Sequence, residues 1–286
     1  MNANFHQQQR SPSWYLRLAL CSLFVAGSVV AKAQIEILPP REPQIVFAGV
    51  PQKIEVIFRN ATDKPVQMNL STRIFQTSSS TVTPVGEAQF WKDLEVLPEQ
   101  MVMDNAMLTF PEVRAITVFQ VRWLDEKTNE VGRTTVRVCP PDLLKQLSAE
   151  AGDKRIGLLD PENLLKPILE KIKVPLDDLE KNAGFDSFDG KLAIVGPFSS
   201  KEKMPANLKT RLTSATAKKP LTILWLQPPG IEIEPLPNFY FVRESAGTIA
   251  IVKEKMISHL AESPHAQINL LRCVRLAQHP ETLTLP

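Results

Sequence analysis

TTVRVCPPDLLKQL, residues 134–147, contains the change of pattern that decides the fold. On its amino side Val136 and Val138 alternate with polar residues, which is typical of a strand with one buried face. Pro140 and Pro141 cannot donate hydrogen bonds to a sheet, and the leucines after them have the spacing of a short helix. The stretch therefore predicts a boundary between an all-β part and a part that contains helices.

Residues 34–139 repeat this alternation in several short runs. In the run 53–59, Ile54, Val56 and Phe58 fall on one side, and turn-forming residues follow at 60–65. Several short strands separated by turns, without a long helical pattern, are typical of an immunoglobulin-like β-sandwich. We therefore expect an all-β immunoglobulin-like sandwich over residues 34–139.

Residues 140–286 alternate between compact apolar runs and segments with helical spacing. The apolar runs that predict strands are Arg155–Leu159, Leu192–Val195, Leu221–Leu226 and Thr248–Val252. A last helix begins clearly, because Ser263 can cap it and Pro264 suits its first position. Strands that alternate with helices predict an α/β domain with a mostly parallel sheet.

The first 33 residues have the order of a bacterial secretory signal peptide. Arg10 and Arg17 precede an apolar run from Leu18 to Val30, and the small residues Ala31 and Ala33 follow it. A helix needs about 20 apolar residues to cross a bilayer, and this apolar run is shorter. We therefore expect cleavage after Ala33, a mature chain without a transmembrane anchor, and a periplasmic or extracellular location.

The charge of the mature chain argues against a nucleic-acid partner. Cleavage would remove three basic residues and no acidic one, so 33 basic residues become 30, against 31 acidic residues. A net charge near −1 gives none of the positive field that attracts a phosphate backbone. We expect an envelope protein or a glycan as the partner, because sandwich edges and loop ends can recruit either.

Two cysteines, Cys139 and Cys273, remain after cleavage. Two cysteines are too few to build a disulfide scaffold in a chain of this length. They could pair with each other in an oxidising compartment, or both could stay as thiols, and the sequence leaves both possibilities open.

The sequence offers no convincing catalytic, cofactor or metal site. The turn after Leu221–Leu226 reads Gln227-Pro228-Pro229-Gly230, without the serine or cysteine of a nucleophile elbow. Proline also lacks the N–H group that an oxyanion hole requires. His259 and His265 do not share a helix face. We therefore expect no catalytic residue, no cofactor and no metal.

A polar crevice is the best candidate for a ligand site. Ligands of open parallel sheets bind beyond the carboxyl ends of the strands, where loops and helix starts converge. The polar residues expected there are Asp160, Glu162, Asn163, Ser199, Ser200 and Gln227. The alternative is that Asp160 and Ser199 only cap helices.

The segments FDGKLAIVGP (188–197) and KPLTILWL (219–226) resemble class I glutamine amidotransferase-like domains, including non-catalytic versions in secreted bacterial proteins. The resemblance covers about residues 153–286. In active members a cysteine follows the strand that residues 221–226 resemble, whereas this chain has Gln227 there. The resemblance therefore implies a flavodoxin-like fold that has lost its amidotransferase chemistry.

These observations favour a non-enzymatic binding or assembly protein of the bacterial envelope. The first alternative is a glycan or ester hydrolase that uses the polar residues of the crevice, such as Asp160 and Ser199. The second is an obligate subunit of a larger envelope complex.

Overall fold

The computed structural model describes residues 35–152, 154–180, 184–229, 239–252 and 259–279. The predicted signal peptide, residues 1–33, lies outside the described residues.

Strands make up most of the regular structure within these ranges. The strands are β1 (Ile35–Leu38), β2 (Gln44–Phe47), β3 (Pro51–Asn60), β4 (Val66–Thr77), β5 (Val82–Val96), β6 (Met101–Thr109), β7 (Thr117–Leu124), β8 (Glu130–Cys139), β9 (Ile156–Leu159), β10 (Leu176–Asp178), β11 (Leu192–Val195), β12 (Thr222–Leu226), β13 (Phe239–Arg243) and β14 (Thr248–Val252). The helices are α1 (Gln146–Glu150), α2 (Lys166–Lys171), α3 (Leu208–Lys218) and α4 (Pro264–Gln278), with 3-10 turns at Leu143–Lys145 and Gly184–Asp186.

The first eight strands form two sheets that face each other. Sheet I has the order β1-β3-β6, and sheet II has the order β2-β8-β7-β4-β5. Alternation places Ile54, Val56 and Phe58 of β3 between the sheets, each at most 1% exposed. Trp123 of β7 lies opposite them and donates from its indole N–H to the hydroxyl of Thr134, at 2.9 Å. The core of this half is therefore built by the alternating pattern visible in the sequence.

The remaining strands form sheet III, with the order β10-β9-β11-β12-β14-β13. The first five strands in this order are parallel to one another, and β13 at the far edge is antiparallel to β14. The side chains of β9, β11 and β12 are buried on both faces almost without exception. α4 covers one face, α3 packs against β12 and β14, and the Ser263 hydroxyl accepts from the Ala266 N–H at the start of α4.

Strand β2 contributes to the cores of both halves. Its Val46 side chain belongs to the core between sheets I and II, together with Ala48 just beyond the strand. Ile45 and Phe47 point the other way and pack in the core beneath α4, which also holds Cys139 and the leucines that follow it. Because one strand supplies both cores, the two halves are joined by packed side chains.

The predicted fold class, a two-domain protein with an immunoglobulin-like sandwich and an α/β flavodoxin-like domain, is wrong. Strands account for 43% of the structure and helices for only 20%, and the described residues form three sheets, of which sheets II and III are mixed. The physical reason is that Pro140 and Pro141 do not create an open linker. Leu143 and Leu144 directly after them are at most 1% exposed and fill the core that β2 shares.

Membrane-crossing helices are absent from the described part of the chain, where every helix is too short or too polar to span a bilayer.

Candidate functional site

Asp160 lies where it was predicted, directly after β9, but its carboxylate is occupied by the backbone. The side chain is only 6% exposed. It accepts hydrogen bonds from the backbone N–H groups of Leu164 at 3.1 Å, Leu165 at 2.7 Å and Lys166 at 2.9 Å. These donors belong to the turn that leads into α2, and they have no partner within the helix. Asp160 is therefore a structural residue that holds the start of α2.

Glu162 and Ser199 are brought together from the loops after β9 and β11. The Glu162 carboxylate accepts from the Ser199 backbone N–H at 3.1 Å and from the Lys203 ammonium at 3.4 Å. Hydrogen bonds from the Ser199 side chain and backbone hold the pKa of Glu162 below its ordinary value. A carboxylate with a lowered pKa is a weak general base. The pair therefore ties two loops together and is poorly suited to activate Ser199 as a nucleophile.

Ser200 and Gln227 take part in separate local structures. The Ser200 side chain bonds to Glu202 and lowers the pKa of that carboxyl group. Gln227 has a φ of 44°, and its backbone N–H donates to the Val252 carbonyl at 2.6 Å. Beside it, a side chain added at Gly196 would meet the Leu226 carbonyl oxygen at 2.7 Å. The loops after β11 and β12 therefore touch backbone to backbone at this point.

Asn163 has a φ of 52° and lines a cavity of about 150 Å³ beyond the ends of β9 and β10. Asp160 also lines this cavity, and the Lys166 ammonium crosses it to the Asp178 carboxylate at 2.8 Å. The hydrogen bond with Asp178 raises the pKa of Lys166. Ligand sites for small molecules enclose about 300–1,000 Å³. The cavity is too small for a sugar, and its one lysine, Lys166, is already paired with Asp178.

The six predicted residues therefore take part in several separate local structures. The structure joins Glu162 to Ser199 and places Asp160 and Asn163 on one small cavity, while Ser200 bonds to Glu202. Among the described residues, no group of three histidine, cysteine or acidic side chains is arranged to hold a metal ion.

A second surface, which the sequence analysis missed, lies on the outer side of sheet I. A groove of about 1,100 Å³, the β6 groove, runs between strands β3 and β6 on one side and the loop 39–43 on the other. Met101 and Met103 of β6 line it, and each is 63% exposed. Ile57 of β3 also lines it. Large apolar side chains in such numbers on an outer sheet face are typical of interaction surfaces.

The proline-rich wall of the β6 groove is held in place by Gln44. Its side-chain amide donates to the Glu55 carbonyl at 2.8 Å, and its side-chain oxygen accepts from the Glu55 backbone N–H at 2.7 Å. These two bonds fix the end of the loop 39–43 against β3. The groove is therefore formed before any partner arrives.

The signal for this surface is present in the sequence, in the methionines at 101, 103 and 107. The intervening residues Val102, Ala106 and Leu108 are apolar as well. Since both faces of β6 carry apolar residues, alternation alone does not show which face is buried.

Comparisons with known proteins identify no family for this chain. No protein-family model matches it, and no curated protein matches it. A Pseudomonas fluorescens alkylpurine DNA glycosylase bound to DNA has a TM-score of 0.29 and 13% identity, over 44% of this chain and 38% of that chain. A Listeria innocua β-glucosidase in complex with glucose has a TM-score of 0.26 and 14% identity, over 37% and 16%. A Niemann-Pick type C2 protein of the Japanese carpenter ant has a TM-score of 0.26 and 9% identity, over 36% and 88%.

This chain thus spans less than half of the glycosylase and of the glucosidase. Similarities this low carry no argument about function.

Proposed function

We propose that the chain is a non-enzymatic binding or assembly protein of the bacterial envelope, which holds an extended segment of a partner protein along β6. The observation that carries the proposal is the β6 groove, where exposed methionines occupy alternate positions of an edge strand. The apolar run 18–30 and the near-neutral mature charge support export without a nucleic-acid partner.

The backbone of β6 supports strand addition. β6 pairs with β3 over Met101–Thr109 and has no strand on its other side within the described residues. A strand at the edge of a sheet presents N–H and C=O groups that an added strand can bind. Partner segments that extend a sheet in this way gain affinity from main-chain hydrogen bonds and specificity from alternate side chains.

The side chains of the β6 groove favour a peptide with apolar residues at alternate positions. The methionine side chain is flexible and polarisable, so it adapts to partner side chains of different shape. Arg41 and Lys53 are matched by Glu42 and Glu55 around the groove. This balanced charge offers no attraction to an anionic membrane surface, and the apolar side chains Ile57, Met101 and Met103 suit a peptide better than a hydroxyl-rich glycan.

Site-specific photo-crosslinking in the native cell envelope tests the proposal. A photoreactive amino acid at Met103 should give one discrete crosslinked protein, and the crosslinked peptide should map to an extended segment of that protein. Ile116, which is 44% exposed on the loop before β7, provides the matched control position. Equal crosslinking from both positions, a crosslink to lipid or glycan, or none at all would contradict the proposal.

A charge in the β6 groove should release the partner. Burying a methionine contributes about 1.5–3 kcal/mol, so Met103→Asp should weaken the complex by about ten- to a hundred-fold. The Ile116→Asp control should leave the affinity within about two-fold. Turnover of chromogenic glycosides or esters that Ser199→Ala abolishes would instead support the hydrolase.

A further inference from the structure

A second cavity, separate from the β6 groove, lies between the two helices that cover one face of sheet III. It encloses about 580 Å³ between α2 and the start of α4, and the segment Pro141–Lys145 closes one side. This volume falls within the range of small-molecule sites. We name it the α2–α4 cavity.

The walls of the α2–α4 cavity combine apolar and basic groups. Pro167, Ile168 and Ile172 supply an apolar surface, and Lys171 and Lys173 lie beside it. Neither of these two lysines forms a salt bridge among the described residues, whereas Lys145 is already paired with Asp142 at 2.6 Å. The cavity therefore has two positive charges available for an anion.

Gln267, on the first turn of α4, provides an independent observation. Its side chain lines the cavity and is only 4% exposed. The amide nitrogen donates to the Leu260 carbonyl at 2.9 Å, which fixes the orientation of the amide group. The amide oxygen is buried and accepts no hydrogen bond from the residues that the structure describes. A buried acceptor without a donor costs about 1–3 kcal/mol, so the cavity offers a place for a ligand that donates.

We propose that the α2–α4 cavity binds a small hydroxylated anion of the sugar-acid or sugar-phosphate type. The anionic group lies at Lys171 and Lys173, a hydroxyl group donates to the oxygen of Gln267, and the carbon face of the ring packs on Pro167 and Ile168. A ligand of this kind would pair with both lysines, donate to the Gln267 oxygen and cover the apolar wall. The proposal does not depend on the β6 groove.

Isothermal titration of the mature chain with four probes tests the proposal. Glucuronate and glucose 6-phosphate carry both hydroxyl groups and an anionic group, and the preferred one identifies the anionic group. Glucose lacks the charge, and acetate lacks the ring hydroxyls. At least one of the two sugar anions should bind at least ten-fold more tightly than glucose and than acetate. Failure of both sugar anions to bind, or equal binding of acetate, would overturn the proposal.

Variants separate the roles of the two groups. Lys171→Gln with Lys173→Gln should lower the affinity for the preferred sugar anion at least ten-fold and weaken its dependence on salt, because the double variant lacks the two charges that attract the anion. Both lysines are exposed, so the substitutions leave the core undisturbed. Lys209→Gln on α3 is the matched control and should change nothing. Gln267→Met should lower the affinity for the sugar anion by about ten-fold or more. Unchanged affinity in the double lysine variant would overturn the proposal even if Gln267→Met fails to fold.

Discussion

Replacing Asp160 by alanine should destabilise the protein without affecting any partner bound in the β6 groove. The substitution removes an acceptor shared by three backbone N–H groups, of which the Leu165 N–H is buried. Loss of a capping side chain costs about 0.5–2 kcal/mol, and a buried donor left without a partner costs about 1–3 kcal/mol. We therefore expect the free energy of unfolding to fall by about 2–4 kcal/mol.

Urea unfolding of the mature chain at pH 7, followed by far-ultraviolet circular dichroism, measures this loss. Asp160→Asn keeps one side-chain acceptor and should lose about half as much. Asp186→Ala removes an aspartate whose side chain is 77% exposed and should stay within about 0.5 kcal/mol of the parent. An Asp160→Ala variant as stable as the Asp186→Ala variant would refute the structural role and reopen the crevice as a ligand site.

Three further predictions concern pH, thiol reactivity and a close backbone approach. Because hydrogen bonds from Ser199 lower the pKa of Glu162, the ionised carboxylate stabilises the folded protein above the ordinary pKa of 4.5, and this stabilisation is lost as the pH falls below that value. The free energy of unfolding of Glu162→Gln should therefore depend less on pH in this acid range than that of the parent protein. An unchanged pH dependence would contradict the prediction. Burial raises the pKa of Cys139 to about 11, so in a Cys273→Ser background this thiol should react with Ellman's reagent at pH 8 only as the protein unfolds, and immediate reaction would disprove its burial. A Cβ at Gly247 would lie 2.3 Å from the Leu221 carbonyl oxygen, so Gly247→Ala should cost at least about 2 kcal/mol in urea unfolding, and a neutral effect would show that the two strand ends are farther apart.

The elements with strong local signals could be predicted from the sequence. The strand Leu192–Val195 and the strand Thr248–Val252 occur with the predicted bounds, because short apolar runs between a glycine and a lysine have the length and flanking residues of buried strands. The last helix begins at Pro264 with Ser263 as its cap, since capping depends only on neighbouring residues.

Features that depend on distant contacts could not be predicted. The sequence of β2 does not show that Ile45 and Phe47 enter one core and Val46 another, because that depends on α4, more than 200 positions later. The roles of the crevice residues could not be predicted for a related reason. Aspartate and serine after a strand serve equally well as caps and as ligand groups, and only the positions of the backbone donors distinguish the two roles.

Amide hydrogen exchange of the crosslinked complex tests the central claim most directly. Strand addition should slow exchange of the edge amides of Met101–Thr109 by at least about a hundred-fold relative to the free protein, while sheet III keeps its exchange rates. Protection that appears elsewhere and leaves Met101–Thr109 unchanged would contradict binding along β6.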